Sequence, residues 1–348
     1  MKYARLAAGA VELASAPEPV VGPGEVAIEL AACGICGTDV EKLRGGYTRS
    51  QTLGHEPVGR VRAIGTGVSG IEVGDRVFAH HHVGCGSCRI CRQGDPTFCP
   101  SYATTNLRPG GFAEVFVVPA ANVRAGAVLK LADSVSWETG TLLEPAGCAE
   151  TALRRVGGAD GRAVFVVGLG PVGLLYARVA RAHGAAWVGG AEISERRRAA
   201  AAQGGIDATV DPRTPGEARS VVDAATDGTG VDLAVVATAA PAAVRLALEL
   251  VRSGGTVNLF GLPEATDRLD TPLQQLYLRG VRIIPSYATT EADIRTIHSW
   301  VADGTLSLGD LVSHRLPLER VADAFALAAR PAESLRVVVT GPAMSPGD

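Results

Sequence analysis

The chain has little lysine, little net charge and no long apolar segment. Three of its 348 residues are lysine and thirty are arginine, while the formal net charge is −3. An arginine excess in a chain rich in Ala and Gly is typical of a GC-rich genome, so it does not indicate phosphate binding. The lack of net positive charge excludes an electrostatic footprint for nucleic acid or for an anionic membrane.

Apolar runs in this chain are short. No 18-residue stretch is free of charged residues, so we expect no membrane span. The apolar run that begins at Leu6 is interrupted at Glu12, too early for a secretory signal, and we therefore expect a cytoplasmic protein. A content of 47% hydrophobic and 20% charged residues indicates a globular chain. Its length is sufficient for two domains, each with a core of its own.

Four of the seven cysteines lie in one short loop with the spacing C-x2-C-x2-C-x7-C. Four thiolates that converge from a turn-rich loop form a closed tetrahedral site, which suits a structural zinc ion and leaves no position for a substrate. Two disulfides or four free thiols are the alternatives, but two-residue spacings are awkward for bridges and a cytoplasmic chain is kept reduced. The predicted ligands are Cys85, Cys88, Cys91 and Cys99.

The sequence pattern changes near Thr141. Before it, short segments such as residues 25–30, 59–64 and 73–78 alternate polar and apolar residues, which predicts a β-barrel-like module. After it, the apolar run Val164–Val167 is typical of a parallel strand buried on both faces. Further strands alternate with helical patterns, so we predict an α/β protein with a doubly wound parallel sheet.

A glycine motif of the form G-x-G-x-x-G directly follows the apolar strand and opens a helix. In this context it predicts a dinucleotide site. The first glycine makes the turn, the second lets the pyrophosphate approach, and the third packs the helix against the strand. The helix N-terminus would hold the pyrophosphate. The motif consists of Gly168, Leu169, Gly170, Pro171, Val172 and Gly173.

An acidic residue, Glu192, ends the next predicted strand, where a carboxylate would bind the adenine-ribose hydroxyls. This carboxylate should repel a 2′-phosphate and therefore favours NAD. Arg196, Arg197 and Arg198 follow at once and could instead accept NADP, or they could form a solvated helix start. We predict NAD, with NADP as the alternative and with Arg197 among the cofactor-binding residues.

A second set of metal-ligand types is spread along the first half of the chain. His55 and Glu56 lie between predicted strands, with Cys36 upstream and Glu144 downstream. One cysteine, one histidine and one or two carboxylates give three protein ligands and an open coordination position. Catalytic zinc sites are built in this way.

Taken together, these motifs make the chain resemble the zinc-containing medium-chain dehydrogenases/reductases, the superfamily of alcohol, polyol and threonine dehydrogenases. The resemblance covers nearly the whole chain. It rests on the Cys36 segment, residues 54–61, the four-cysteine loop, Glu144-Pro145 and the glycine motif. It implies a GroES-like β-barrel catalytic domain over residues 1–148 and 288–348, and a Rossmann coenzyme domain over residues 149–287.

The resemblance also implies a catalytic zinc ion, and hence two zinc ions per chain. Cys36, His55 and Glu144 are implied as its ligands, with Glu56 as a fourth or transient one. The hydroxyl of Thr38 is implied to touch the bound alcohol and to take its proton.

Two cofactor contacts are implied in addition. Val172 would lie behind the nicotinamide ring, and Arg336 would reach the cofactor from the return to the first domain.

Two departures from the family pattern bear on function. Many relatives have histidine where Glu41 stands, as the outer member of a proton relay, so the relay ends here in Glu41 or in water. Ethanol-type enzymes often have cysteine where Glu144 stands, and the carboxylate resembles the polyol branch.

We therefore predict an oxidoreductase that transfers hydride between NAD(P) and a polar secondary alcohol, giving a ketone. The alcohol would be a polyol, sugar or aminocyclitol, in secondary-metabolite biosynthesis. An L-threonine-type dehydrogenase is the alternative. A non-catalytic redox sensor that binds zinc and dinucleotide is the rival from another class. The acidic net charge disfavours a nucleic-acid-binding zinc ribbon. We expect a small-molecule substrate, no nucleic-acid or membrane partner, and a homodimer or homotetramer.

Three successive histidines, residues 80–82, precede the four-cysteine loop. We expect them to form a turn that lines the cleft, with one histidine facing the substrate, rather than a third metal site. Loops near Tyr47, Phe98, Asn106 and Tyr287 are expected to form the pocket walls.

Overall fold

A computed structural model of the protein describes residues 1–45, 52–330 and 332–344. Tyr47, expected to line the substrate pocket, lies outside these ranges. The chain divides into two compact units, one formed by Met1–Gly147 with Thr289–Asp348 and the other by Cys148–Ala288. Among the described residues, none of the helices is long and apolar enough to cross a membrane.

The strands of the described residues are numbered in chain order. They are β1 (Lys2–Ala7), β2 (Ala10–Ser15), β3 (Val26–Gly34), β4 (Pro57–Ile64), β5 (Arg76–Ala79), β6 (Val115–Val118), β7 (Val128–Lys130), β8 (Ala163–Val167), β9 (Trp187–Ala191), β10 (Ala208–Val210), β11 (Val231–Val236), β12 (Val251–Leu259), β13 (Arg282–Pro285), β14 (Val312–Pro317) and β15 (Arg336–Thr340).

The helices are numbered in the same way. They are α1 (Gly37–Leu43), α2 (Arg89–Arg92), α3 (Ala120–Arg124), α4 (Trp137–Gly140), α5 (Leu143–Arg155), α6 (Pro171–Ala182), α7 (Glu195–Gln203), α8 (Glu217–Ala225), α9 (Pro241–Leu250), α10 (Leu273–Arg279), α11 (Glu291–Ala302) and α12 (Val321–Ala328).

The first unit is built on a seven-stranded sheet in the order β14-β15-β3-β4-β5-β7, with β6 also paired to β3. Strands β14 and β15 are parallel and the other pairs are antiparallel. The central strand β3 pairs with β15 through residues 32–34, so the end of the chain completes this sheet. Buried apolar side chains on one face, including Ile28, Leu30 and Phe116, form its main core.

The second unit is a six-stranded parallel sheet in the order β10-β9-β8-β11-β12-β13. Its first strand, β8, lies in the interior, and the chain runs outward from it first on one side and then on the other. The predicted doubly wound sheet is therefore confirmed. Ligands of such sheets bind at the carboxyl ends of the strands where the order reverses, here between β8 and β11.

Local turn chemistry moved some element boundaries from their predicted positions. A strand predicted over residues 73–78 is found at Arg76–Ala79 because a turn comes first. In this turn Gly74 has a φ of +95°, and Asp75 accepts a hydrogen bond from the Glu72 amide at 2.7 Å. The N-terminal hairpin of β1 and β2 was not predicted, because apolar and polar residues do not alternate regularly in it and β2 exposes both Ala10 and Leu13.

Candidate active site and metal centres

The four cysteines of residues 85–99 form one compact group. Their sulfur atoms all lie within 4.8 Å of one another. The Sγ atoms of Cys88 and Cys99 are 3.8 Å apart, and those of Cys85 and Cys91 are 4.0 Å apart. A disulfide requires about 2.05 Å, whereas Zn–S bonds of about 2.3 Å in a tetrahedron place sulfurs about 3.8 Å apart. The group therefore fits a zinc ion, and all seven cysteines are free thiols.

Backbone amides of the same loop point at these sulfurs. The amide of Cys88 donates to Cys85 Sγ at 3.3 Å, and that of Cys91 donates to Cys88 Sγ at 3.4 Å. A hydrogen bond from the Ser87 hydroxyl is the main cause that lowers the pKa of Cys85 to about 5. The loop thus stabilises thiolates, which are the metal-binding form of cysteine.

A second group consists of Cys36, His55 and Glu56, whose ligand atoms lie within 4.8 Å of one another. Cys36 follows β3 and is the N-cap of α1, while His55 and Glu56 directly precede β4. Because β3 pairs with β4 in a register that joins Cys33 to Pro57, the two segments meet at this end of the sheet. Burial raises the pKa of the Cys36 thiol, but His55 outweighs burial, so this pKa lies below its ordinary value.

A buried carboxylate, Asp39, holds the His55 ring. Its Oδ2 lies 3.3 Å from His55 Nδ1, and its Oδ1 accepts hydrogen bonds from Lys42 Nζ and the Gly54 amide, each at 3.2 Å. Burial raises the pKa of Asp39, but the lowering by His55 and Lys42 is larger. The net pKa is therefore well below its usual range. A carboxylate that holds one nitrogen of a ligating histidine fixes the ring for the metal. Sequence reasoning assigned Asp39 no role, although it lies three residues after Cys36.

Glu56 is fully buried, and its Oε1 accepts no hydrogen bond from any described residue. Its Oε2 is ion-paired with the guanidinium of Arg336, which is itself 2% exposed. A Cβ at Gly34 would lie 2.1 Å from Glu56 Oε2, so any larger residue at this position would displace the Glu56–Arg336 pair. A buried carboxylate oxygen without a donor fits a metal ion. The contact of Arg336 with the cofactor stays a prediction.

Glu144 lies in a third group, with His80 and His81. It is therefore not among the residues whose ligand atoms cluster around Cys36, although its charge acts on that thiol. The His81 ring lies 4.9 Å from the His55 ring, so the second and third groups adjoin. The assignment of Glu144 to the Cys36 ion stays a prediction.

The two residues of the predicted proton relay lie on α1. Thr38 is in the first turn and partly exposed, and Glu41 follows three residues later on the same side of the helix. The carboxylate of Glu41 pairs with Arg44 at 2.9 Å. Their roles in catalysis stay predictions.

The glycine motif forms a tight turn between β8 and α6. Gly168 has a φ of +99°, and a Cβ at Gly173 would lie 1.9 Å from the Gly168 carbonyl oxygen. Both positions therefore require glycine, and Gly170 caps the N-terminus of α6. This is a cradle of the shape that a dinucleotide pyrophosphate needs.

Charges of both signs meet beside this turn. The carboxylate of Glu192 accepts hydrogen bonds from the amides of Leu169 at 3.1 Å and Ser194 at 3.0 Å. Arg197 Nη1 lies 3.9 Å from the same carboxylate. This nitrogen also adjoins the glycine turn, because a β-carbon added at Gly170 would be 3.4 Å from it. Burial lowers the pKa of Arg197, which Glu192 partly offsets. A carboxylate and an arginine therefore lie next to each other beside the glycine turn, and the contact of Glu192 with the adenine ribose stays a prediction.

Comparisons with known proteins settle the family. Residues 22–133 match the alcohol dehydrogenase GroES-like domain, and residues 171–303 match the zinc-binding dehydrogenase domain. L-threonine 3-dehydrogenase from Pyrococcus horikoshii is 35% identical over 316 residues, which is 87% of each chain. The chain belongs to the zinc-containing medium-chain dehydrogenase/reductase family. The predicted GroES-like and Rossmann domains, and the predicted zinc and nicotinamide cofactors, are thereby confirmed, and the protein is an NAD(P)-dependent oxidoreductase.

Solved structures of this dehydrogenase family superpose closely on the chain. An alcohol dehydrogenase from Thermus sp. ATN1 is 27% identical, with a TM-score of 0.88 over 98% of this chain and 100% of that one. A zinc-binding dehydrogenase from Sinorhizobium meliloti, solved with NADP, is 26% identical, with a TM-score of 0.88 over 97% and 98%.

Replacing a cysteine should have different effects in the Cys36 group and in the four-cysteine loop. Cys36→Ser should remove one zinc ion and the activity while the fold survives. Cys88→Ser should lower stability, because structural zinc contributes folding energy. We expect its Tm to fall by more than about 5 °C, since 1 kcal/mol is worth about 2–4 °C in a domain of 150–250 residues. Zinc content and thermal unfolding measure both effects.

Cys148→Ser, which lies outside both groups, is the control and should change neither quantity. A Cys88→Ser protein with full zinc content and an unchanged Tm would contradict the structural role of the loop.

Proposed function

We propose that this dehydrogenase oxidises a polar secondary alcohol to a ketone with NAD. The observation that carries the proposal is the convergence of Cys36, His55 and Glu56 at the end of β3, next to the helix that bears Thr38. These residues would hold a zinc ion with an open position. Zinc in such a site acts as a Lewis acid, which lowers the pKa of bound water from 15.7 to about 7 and that of a bound alcohol similarly.

The protein's own residues supply orientation and proton transfer. Asp39 fixes the His55 ring, and the first turn of α1 carries Cys36 and Thr38 two residues apart. The Thr38 hydroxyl is then the group that accepts the proton of the bound alcohol. Glu41, half exposed and paired with Arg44, would connect this hydroxyl with solvent.

A preference for NAD over NADP is supported by Glu192. Its carboxylate is 7% exposed and is held at the glycine turn by two backbone amides. A 2′-phosphate in this position would meet a fixed negative charge, whereas two ribose hydroxyls could donate to it. Arg197 is already engaged by the same carboxylate, so it is less available to a phosphate.

Two substrate classes fit a polar secondary alcohol. The carboxylate of Glu144, where ethanol-type relatives often have cysteine, supports a polyol, sugar or aminocyclitol from secondary metabolism. The identity of 35% to an L-threonine 3-dehydrogenase supports L-threonine, whose hydroxyl is also secondary.

A substrate panel tests this function. Zinc-loaded protein should reduce NAD with one or more of the polyols, cyclitols, amino sugars or L-threonine, and only poorly with ethanol. We expect a higher kcat/KM with NAD than with NADP, and Glu192→Ala should shift that ratio toward NADP by about tenfold, which equals about 1.4 kcal/mol. Binding of dinucleotide and zinc without turnover across the panel would instead support a redox sensor.

Thr38 provides a test of the proton path. Thr38→Val keeps the shape but removes the acceptor hydroxyl, so kcat should fall by about 10²-fold or more, within the usual range of general acid–base catalysis. Thr38→Ser restores the oxygen and should retain most activity. Near-normal turnover of Thr38→Val with zinc bound would contradict the assignment. Glu41→Gln tests the next link, because a loss confined to the proton-transfer step above neutral pH would place Glu41 in the relay.

We also propose that the protein is a homodimer or homotetramer. Strand β13 lies at one edge of the second unit's sheet, and α10 exposes Leu273, Tyr277 and Leu278 at 73–84%. An unpaired edge strand with a neighbouring apolar surface is typical of an interface. Light scattering should give two or four times 35.7 kDa, and a monomer would contradict the proposal. The cytoplasmic location stays a prediction.

A further inference from the structure

Two arginines hold the backbone of the segment that carries Glu192. Nη1 of Arg198 donates a hydrogen bond to the Glu192 carbonyl oxygen at 2.6 Å, and Nη2 of Arg213 donates one to the Ile193 carbonyl oxygen at 3.1 Å. The side chain of Ile193 is 60% exposed, so its burial does not fix the segment. The two hydrogen bonds therefore restrain a stretch of backbone that packing leaves exposed.

Both arginines are themselves held by one carboxylate, that of Asp211. Its oxygens accept two hydrogen bonds from Arg213, one from Nε at 2.9 Å and one from Nη2 at 2.6 Å. Its Oδ2 also lies 3.4 Å from Arg198 Nη1. The hydrogen bond from Arg213 holds the pKa of Asp211 well below its ordinary value, so this side chain is charged near neutral pH. One charge thus links two cations to two successive carbonyl oxygens.

The parallel sheet of the second unit places Asp211 beside this segment. Asp211 directly follows β10 and Glu192 directly follows β9, and these two strands pair with Val210 opposite Ala191. The Glu192 amide also donates to the Val210 carbonyl oxygen at 3.1 Å. Dinucleotides bind at the edge of such a sheet where the carboxyl ends of the strands lie. Asp211 therefore adjoins the backbone of the residue that we propose to bind the adenine ribose.

We propose that Asp211 is a positioning residue for dinucleotide binding, which acts through Arg198 and Arg213 to hold Glu192 in place for the adenine ribose. The proposal rests on the ribose contact of Glu192 proposed above. It adds a residue to which sequence reasoning gave no role. It also gives Arg198 a function other than acceptance of a 2′-phosphate, because a carbonyl oxygen and a carboxylate engage its guanidinium group.

Binding of NADH to Asp211→Asn tests the proposal. Asparagine keeps the shape and the oxygen that accepts a hydrogen bond from the Arg213 amide, but it lacks the charge that holds the two guanidinium groups. We expect the Kd for NADH, measured by calorimetry, to rise by about tenfold, which equals about 1.4 kcal/mol. ADP-ribose should show the same loss of affinity, because the displaced contact is with the adenosine half. An unchanged Kd for NADH would overturn the proposal.

The direction of the change separates positioning from a simple effect of charge. Asp211→Asn removes a negative charge near the site of an anionic ligand, and Coulomb's law alone would then make NADH bind more tightly. Loss of the position of Glu192 makes NADH bind more weakly. Tighter binding of NADH by Asp211→Asn would therefore also overturn the proposal.

Asp223→Asn is the matched control. Asp223 forms a similar ion pair with Arg219 on α8 of the same unit, at 2.8 and 2.9 Å. Arg219 donates to the carbonyl oxygens of Gly228 and Glu249. The control removes the same charge and the same kind of ion pair away from Glu192, so it should leave the Kd for NADH unchanged. Equal weakening in Asp211→Asn and Asp223→Asn would overturn the proposal.

A variant at the surface guards against misfolding of Asp211→Asn. The side chain of Arg213 is 68% exposed, so Arg213→Gln should fold while it removes one of the two links. Its Kd for NADH should rise less than that of Asp211→Asn. The double variant should bind NADH no more weakly than Asp211→Asn, because residues that act through one contact are not additive. Full additivity would show that Asp211 acts independently of Arg213 and would contradict the proposal.

These binding measurements need no alcohol, so they test Asp211 even if the oxidation proposed above fails. An unchanged Kd in Asp211→Asn would in turn leave that oxidation intact. With a working substrate, the KM for NAD should rise in Asp211→Asn while kcat at saturating NAD does not fall. A lower kcat with an unchanged KM would contradict a positioning role in dinucleotide binding.

Discussion

The contact between Asp39 and His55 is the constraint on which the geometry of the Cys36 group depends. A fully buried carboxylate is costly unless several donors satisfy it. Here the donors are Lys42, the Gly54 amide, the Cys36 amide and the His55 ring. The same charge thus joins the start of α1 to the segment before β4. Asp39 thus holds Cys36 and His55 close to each other, and its contacts with these two residues do not require a metal ion.

Features that depend on a few neighbouring residues could be predicted from the sequence. The four-cysteine spacing specifies a loop whose sulfurs converge, and the apolar strand followed by G-x-G-x-x-G specifies the turn of the second unit. The glycines at 168 and 173 are required by backbone geometry at the turn itself. The parallel sheet follows from the alternation of strands and helices.

Features that depend on tertiary pairing could not be predicted in this way. Glu144 comes within 4.8 Å of His80 and His81 only through the tertiary fold, since it is more than 60 residues away from them in sequence. A larger residue at Gly34 would displace Glu56 and Arg336, which fill the space where its Cβ would be, and Arg336 is 302 residues away in sequence. Asp39 carries no signal that separates it from a helix-capping aspartate until His55 is placed beside it.

The most direct test of this account is the zinc affinity of Asp39→Asn. If the buried carboxylate orients His55, the affinity of the Cys36 group should fall by about 10–100-fold. The four-cysteine ion should remain bound, which shows that the first unit is still folded. An Asp39→Asn protein that retains wild-type affinity at the Cys36 group would contradict the account.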